Sequence, residues 1–231
     1  MNLINNLLDL VYPPRCITCE EILLPFKNNF LCENCSDESF FNEIEGPYCI
    51  CGLNITICKG CGPHYFTKNT AAFLYEGMVQ EVIHKLKYGR KAYVASGIAK
   101  LMATQIGIEP FKNAHYIVPV PIHKNRHRKR GFNQSELIAT QLSKNLNLKR
   151  PKNLILRIKD TKPLSKFTPA VREATLKNAF FIRPEYNLQG KNIVIVDDIF
   201  TTGATLNACA KLLHEKKVND VSCVTFSVVP T

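Results

Sequence analysis

No stretch of this sequence comes near the roughly twenty apolar residues that a membrane-spanning helix needs, which argues against a helical membrane anchor. The opening residues, MNLINNLLDLVYPP, lack a basic start and a cleavage site, so no secretory leader is expected. Low-complexity tracts and internal repeats of useful length are also missing. Acidic residues are scarce after residue 65: the later part holds 27 Lys and Arg against 11 Asp and Glu, a balance of +16, while the first 65 residues hold 3 against 8, or −5. The two balances give the chain its net +11. The first part is therefore a poor candidate for gripping phosphates by charge, and any nucleic acid would fall to the second part.

What is present begins with enough apolar material, 45% of 231 residues, to bury one ordinary domain and support a small module. Leu3, Ile4, Leu7, Leu8 and Val11 recur at helical spacing and predict a short amphipathic helix that packs on its own protein or touches a partner or membrane. Eight of the ten cysteines lie between Cys16 and Cys61 in closely spaced pairs. With no leader before them, they point to metal ligation in a reducing cytoplasm rather than to disulfides. A peripheral seat on the inner face of the membrane is the alternative location.

Cys16-x2-Cys19, twelve residues, then Cys32-x2-Cys35 gives two turns that each present two sulfurs, which together complete a tetrahedron around structural Zn²⁺. A second set, Cys49-x1-Cys51, six residues, then Cys58-x2-Cys61, is less regular and suggests a second zinc, with interleaved pairing or an empty set as alternatives. His64 could stand in for one of these cysteines. Cys209 and Cys223 sit in regular patterns and read as small buried hydrophobes. Residues 1–65 thus form a helix and a double cysteine module, and residues 69–231 a larger domain.

In that domain, extended stretches at 71–75, 116–120, 154–158, 192–197 and 221–229 alternate with helical ones at 79–88, 94–106, 135–146 and 204–216. Such alternation predicts an α/β fold, a parallel sheet flanked by helices. Near its end, the strand Ile193-Val194-Ile195-Val196 runs into Asp197-Asp198-Ile199-Phe200-Thr201-Thr202-Gly203-Ala204-Thr205. Gly203 would let the backbone approach a phosphate, the hydroxyls of Thr201, Thr202 and Thr205 would donate to it, and the following helix, beginning near Ala204, would present its free N–H groups. The acids Asp197 and Asp198 would repel a phosphate and must face hydroxyls or a cation, which a ribose diol supplies. The lysine that follows the glycine of a Walker motif is absent, and this excludes a P-loop.

Taken together, the cysteine module, the segment VPVPIHKNRHRKRGFNQ at 118–134 and IVIVDDIFTTGAT at 193–205 resemble the ComF (ComFC) family of competence proteins, the last motif being similar to the phosphoribosyl pyrophosphate motif of type I phosphoribosyltransferases. The resemblance covers essentially the whole chain. It implies a type I phosphoribosyltransferase-like fold and a role in natural transformation, handling single-stranded DNA in the cytoplasm. By that resemblance Asp197 and Asp198 hold ribose hydroxyls, residues 201–205 hold the 5′-phosphate with Mg²⁺ accompanying phosphoribosyl pyrophosphate, and residues 120–123 meet pyrophosphate. The chain departs from the family in having Cys49-Ile50-Cys51 where a two-residue spacing is usual. It also lacks, between 162 and 175, a glutamine and an asparagine that the family often carries.

His123, Lys124, Arg126, Arg128, Lys129 and Arg130 follow a strand of the sheet directly, on the side where open α/β folds bind ligands, and precede Phe132, a candidate for stacking on a base. Lys85, Lys87, Arg90 and Lys91 suggest a second basic face. Three readings compete: a single-stranded-DNA-handling competence protein on a phosphate-and-ribose platform, an active phosphoribosyltransferase that releases pyrophosphate, and a zinc-stabilised adaptor for competence partners.

Overall fold

The computed structural model describes residues 13–24, 30–36, 49–52, 64–89, 91–161, 171, 175–176 and 178–230. In chain order its elements are β1 (Asn69–Leu74), α1 (Gly77–Tyr88), α2 (Val94–Ile106), β2 (Tyr116–Pro119), α3 (Lys124–Arg130) and α4 (Gln134–Asn145). They continue with β3 (Ile155–Arg157), β4 (Phe180–Ile182), β5 (Asn192–Phe200), α5 (Ala204–His214) and β6 (Asp220–Val228). The helix expected over residues 3–11 lies outside the described residues.

Four strands form a parallel sheet in the order β1-β6-β5-β2. In β5 and β6 most positions are buried, as a sheet covered on both faces requires. Side chains alternate across the sheet with period two. Ile193 and Ile195 enter the core shared with Leu206, Cys209, Ala210 and Leu213 of α5, while Val194 and Val196 enter the core shared with α1, α2 and α4. Thus α5, which leaves β5, covers one face, and α4, together with α1 and α2, covers the other. Where neighbouring strands send their connections to opposite faces, a crevice opens at their carboxyl ends.

Two features differ from the sequence reading. The extended stretch at 154–158 joins no parallel sheet: β3 pairs antiparallel with β4 in a separate ribbon, joined by a parallel bridge from Arg157 to His123, the residue that caps α3. A three-residue strand carries too little periodic pattern to declare its partner. The basic run also forms a helix, α3, which is not among the helical stretches expected from the sequence. Lysine and arginine are good helix formers, His123 accepts from the Asn125 N–H at the start, and Gly131 closes the end in the left-handed conformation, donating to the His127 carbonyl.

The described part of the cysteine region shares its core with the sheet domain. Ile17 is fully buried against α2, and a Cβ at Gly97 would lie 2.7 Å from Ile17 Cγ2. Glu20 pairs with Lys85 and Lys91. Cys51 is packed in the core that holds Phe66 and Phe200, and its carbonyl accepts from Asn69 Nδ2 at 2.8 Å.

Candidate functional site

At the end of β5 the chain turns through residues 201–203 into α5, and a small hollow opens there, lined by Asp197 and by residues 199–206. Gly203 makes the turn possible. Its φ of +69° is left-handed, and a Cβ would stand 2.6 Å from the Phe200 ring and 3.2 Å from His64. The Gly203 carbonyl accepts from Asn207 N at 2.7 Å, which leaves the N–H groups of the first turn of α5 without a carbonyl of their own helix. Thr201 is exposed, and Thr202, Ala204 and Thr205 are half-buried around the hollow. This backbone and these hydroxyls form a concave donor surface, suited to an anion.

The two acids leave β5 in different directions. Asp198 is buried and its Oδ2 lies 2.9 Å from Lys87 Nζ of α1. Asp197 accepts at Oδ1 from the Ser135 hydroxyl of α4 at 2.7 Å and from the Asp198 N–H at 2.9 Å. Burial pushes the Asp197 carboxyl up to about 7, with the neighbouring Asp198 charge adding to the rise and Ser135 and Lys87 opposing it. For Lys87, burial works to lower the ammonium, but the charges of Asp198 and Asp197 overcome it and hold the group above the usual lysine range. Of the second basic face expected from the sequence, Lys87 is therefore turned to the acid pair, Lys85 and Lys91 are paired with Glu20, and Arg90 lies outside the described residues.

The segment after β2 reaches the same end of the sheet. Val120 N donates to the Val196 carbonyl, and Asn133 Nδ2 donates to the Val120 carbonyl at 3.0 Å, which holds residues 120–123 beside the carboxyl end of β5. Gln134 is buried, and its Nε2 has no partner among the described residues. Ser135 does not stand out in the sequence, and Lys87 does so only as one member of a basic group. The one signal that sets Lys87 apart is that it adjoins the buried stripe of α1 at Val79, Val82, Ile83 and Leu86.

Along α3, Lys124, Arg128 and Lys129 are exposed and Arg130 is half-buried. Arg126 is drawn inward and donates to the Thr161 carbonyl at 2.6 Å; burial, then the neighbouring Arg130 charge, lowers its pKa. At His123, Nδ1 lies 3.5 Å from Asp160 and also receives the Asn125 N–H. The helix cap requires that nitrogen to be bare, so the Asp160 contact is no charged pair in that state. Phe132 packs, partly buried, on the core of α1, α2 and α4. The aromatic that stands exposed beside α3 is Tyr88.

A separate cluster lies in the cysteine region. The sulfurs of Cys16, Cys19, Cys32 and Cys35 are all within 4.8 Å of one another, and Cys19 Sγ and Cys32 Sγ are 3.5 Å apart. Four thiolates around one Zn²⁺ at about 2.3 Å require sulfur separations of roughly 3.8 Å, so the set is of the right kind and nearly the right size for a metal such as zinc. Burial alone would raise the Cys16 thiol, but hydrogen bonds from the backbone at Cys19, Cys32 and Thr18 bring it down to about 7, while burial pushes Cys32 up to about 11. A bound cation would deprotonate all four. In the second set, Cys49 and Cys51 belong to a tight turn closed by Gly52 N donating to the Cys49 carbonyl, while Cys58 and Cys61 lie outside the described residues. His64 is stacked on Phe66 at 4.5 Å and touches Phe200 edge-on.

This fold and this turn define a phosphoribosyltransferase-type protein: residues 107–229, more than half of the chain, match the phosphoribosyl transferase domain, and the chain belongs to that family. Among curated relatives it is 29% identical to Competence protein F of Haemophilus influenzae over 90% of this chain and 93% of that one. It is 34% identical to DNA utilization protein YhgH of Escherichia coli K12 over 143 residues, 60% of this chain and only 62% of the relative's length. A solved hypoxanthine phosphoribosyltransferase from Staphylococcus aureus superposes with a TM-score of 0.37, at 17% identity over 59% of this chain and 62% of that one. Among the described residues, no helix is long and apolar enough to cross a membrane.

Proposed function

We propose that this chain is a competence protein that handles single-stranded DNA and carries, at the carboxyl end of β5, a site for phosphoribosyl pyrophosphate or a related ribose phosphate. The observation that carries the reading is the Gly203 turn: a left-handed glycine at the start of α5 opens a donor-lined hollow beside two acids. In this reading Thr201, Thr202, Gly203, Ala204 and Thr205 receive the 5′-phosphate, and Asp197 and Asp198 address the ribose hydroxyls. Mg²⁺ would arrive with the polyphosphate and neutralise its charge next to the acids. Residues 120–123 would stand at the pyrophosphate end. The names of the relatives, a competence protein and a DNA utilization protein, support the DNA role. So does the exposed row of cations on α3, which can neutralise backbone phosphates. Zinc at Cys16, Cys19, Cys32 and Cys35 would act as a structural staple.

A second reading, an active phosphoribosyltransferase, is favoured by the presence of both acids. Their contribution would be positioning and charge stabilisation of a developing oxocarbenium-like ribose carbon rather than covalent chemistry. One paired titration tests the main reading: Mg²⁺-phosphoribosyl pyrophosphate and a single-stranded oligonucleotide, each added to the full chain with and without the other. Binding of both supports it. Binding of the pyrophosphate alone, with measurable pyrophosphate release in the presence of a nucleobase, would instead select the enzyme.

A further inference from the structure

Helix α1 ends with two residues that face different surroundings. Lys87 is directed to Asp198, and the next residue, Tyr88, is 65% exposed at the exit of the helix. Large aromatics left in water at this level lose a sizeable apolar surface to solvent. Two side chains border the Tyr88 ring. His84, one turn earlier, lies against it at 4.8 Å with the rings tilted by 41°, and the Arg130 guanidinium of α3 sits 5.7 Å from the ring centroid. Lys124 and Arg128 are exposed on the same short helix and enter no salt bridge among the described residues. The nearby acid Asp160 accepts from Asn125 Nδ2.

An exposed π face beside Lys124, Arg128 and Arg130, none of which enters a salt bridge among the described residues, is the pairing that single-stranded nucleic acid requires: phosphates for the cations and a base for the ring. An acidic peptide would use the cations but would leave the ring without a planar partner. Arg130 over the ring is compatible with this, because a guanidinium itself stacks on bases and can share the stack. We propose that Tyr88 is a base-stacking platform for single-stranded DNA, with Lys124, Arg128 and Arg130 holding the backbone beside it. The inference rests on the DNA-handling reading above and adds the residue that contacts the bases. It also replaces Phe132 in that role, since Phe132 is packed on the core.

The test uses the full chain and fluorescein-labelled oligothymidylate, with binding followed by anisotropy over a series of salt concentrations. Stacking contributes a term that salt does not screen, so Tyr88→Ala should weaken binding by about tenfold at every salt concentration and leave the salt slope unchanged. Tyr88→Trp should keep the affinity. Lys124→Ala with Arg128→Ala should flatten the slope instead, by about 0.7 log units for each phosphate that is no longer neutralised. On an oligomer of the same length lacking bases, wild type and Tyr88→Ala should bind alike. Equal affinity of Tyr88→Ala and wild type for oligothymidylate, or an equal loss on the base-free oligomer, would overturn the platform while leaving the DNA reading intact. If wild type binds neither oligomer, the DNA reading itself falls, and the platform with it.

Discussion

Lys87 Nζ lies 2.9 Å from Asp198 Oδ2, so a cation from the first helix of the domain is seated on the second of two acids in β5, more than a hundred residues away in sequence. Both groups are largely shielded from water. Lys87→Met removes the cation and leaves two adjacent carboxylates with the Ser135 hydroxyl and the Asp198 N–H, both on Asp197, to oppose their repulsion. The expected loss in stability is on the order of 3 kcal/mol at pH 8, shrinking at pH 6 as a proton takes the place of the ammonium. Urea unfolding at the two pH values checks this, and equal stability of variant and wild type at pH 8 would mean that the pair contributes nothing.

Asp197 supplies a pH signature whose sign can be worked out. Its carboxyl is raised to about 7 in the folded chain, chiefly by burial, against an ordinary value near 4, so between those limits the folded state binds the proton and the unfolded state does not. Stability from this group therefore falls as pH rises from about 4 to 7 and is level above that, with a limiting slope of roughly 1.4 kcal/mol per pH unit. Asp197→Asn should abolish the slope. The measurement is the difference in unfolding free energy between wild type and variant from pH 5 to 8, and a difference independent of pH contradicts the assignment.

Gly203→Ala meets two obstacles, a φ of +69° and a Phe200 ring 2.6 Å from the new Cβ. A loss of about 1 to 3 kcal/mol is expected, together with loss of ligand-induced stabilisation. Adding Phe200→Leu should recover the steric part only, because the backbone strain remains. Full recovery in the double variant would show that the left-handed conformation is not needed.

Ile17, between Cys16 and Cys19, is plugged against Gly97 of α2, so the cysteine loop is anchored in the core of the sheet domain. Metal analysis of purified protein should find about two zinc ions per chain if the second cysteine set is filled, and one if only Cys16, Cys19, Cys32 and Cys35 bind. Cys16→Ser, or a strong chelator, should lower the melting temperature of the whole chain in a single transition rather than release a separate early one. Absence of zinc would remove the metal from the account.

Much of the site was legible because it is local. A four-residue buried strand, two acids, a hydroxyl-rich turn and a helix start follow one another within thirteen residues, from Ile193 to Thr205, and each carries its own chemical signal. The parallel sheet followed from the same kind of periodicity. Contacts that close over long separations left no such trace. Lys87 reads as one basic residue among several until α1 packs on the sheet and turns it toward Asp198. The helix α3 was hidden because a run of cations has no apolar period, its helicity resting on His123, Gly131 and chain propensity. Phe132, which the sequence offers for stacking, packs partly buried on the core, while Tyr88 stands exposed, since burial depends on what the fold lays over each ring.

On the proposed reading, the turn at Gly203 binds a ribose phosphate with the help of Asp197 and Asp198. Calorimetric titration of the full chain with Mg²⁺-phosphoribosyl pyrophosphate tests it most directly, alongside the Asp197→Asn, Asp198→Asn double variant, whose fold is checked by its unfolding transition. The account predicts saturable binding by wild type and a loss of at least tenfold in the folded double variant. Binding of equal strength by both, or no binding by wild type, would contradict it.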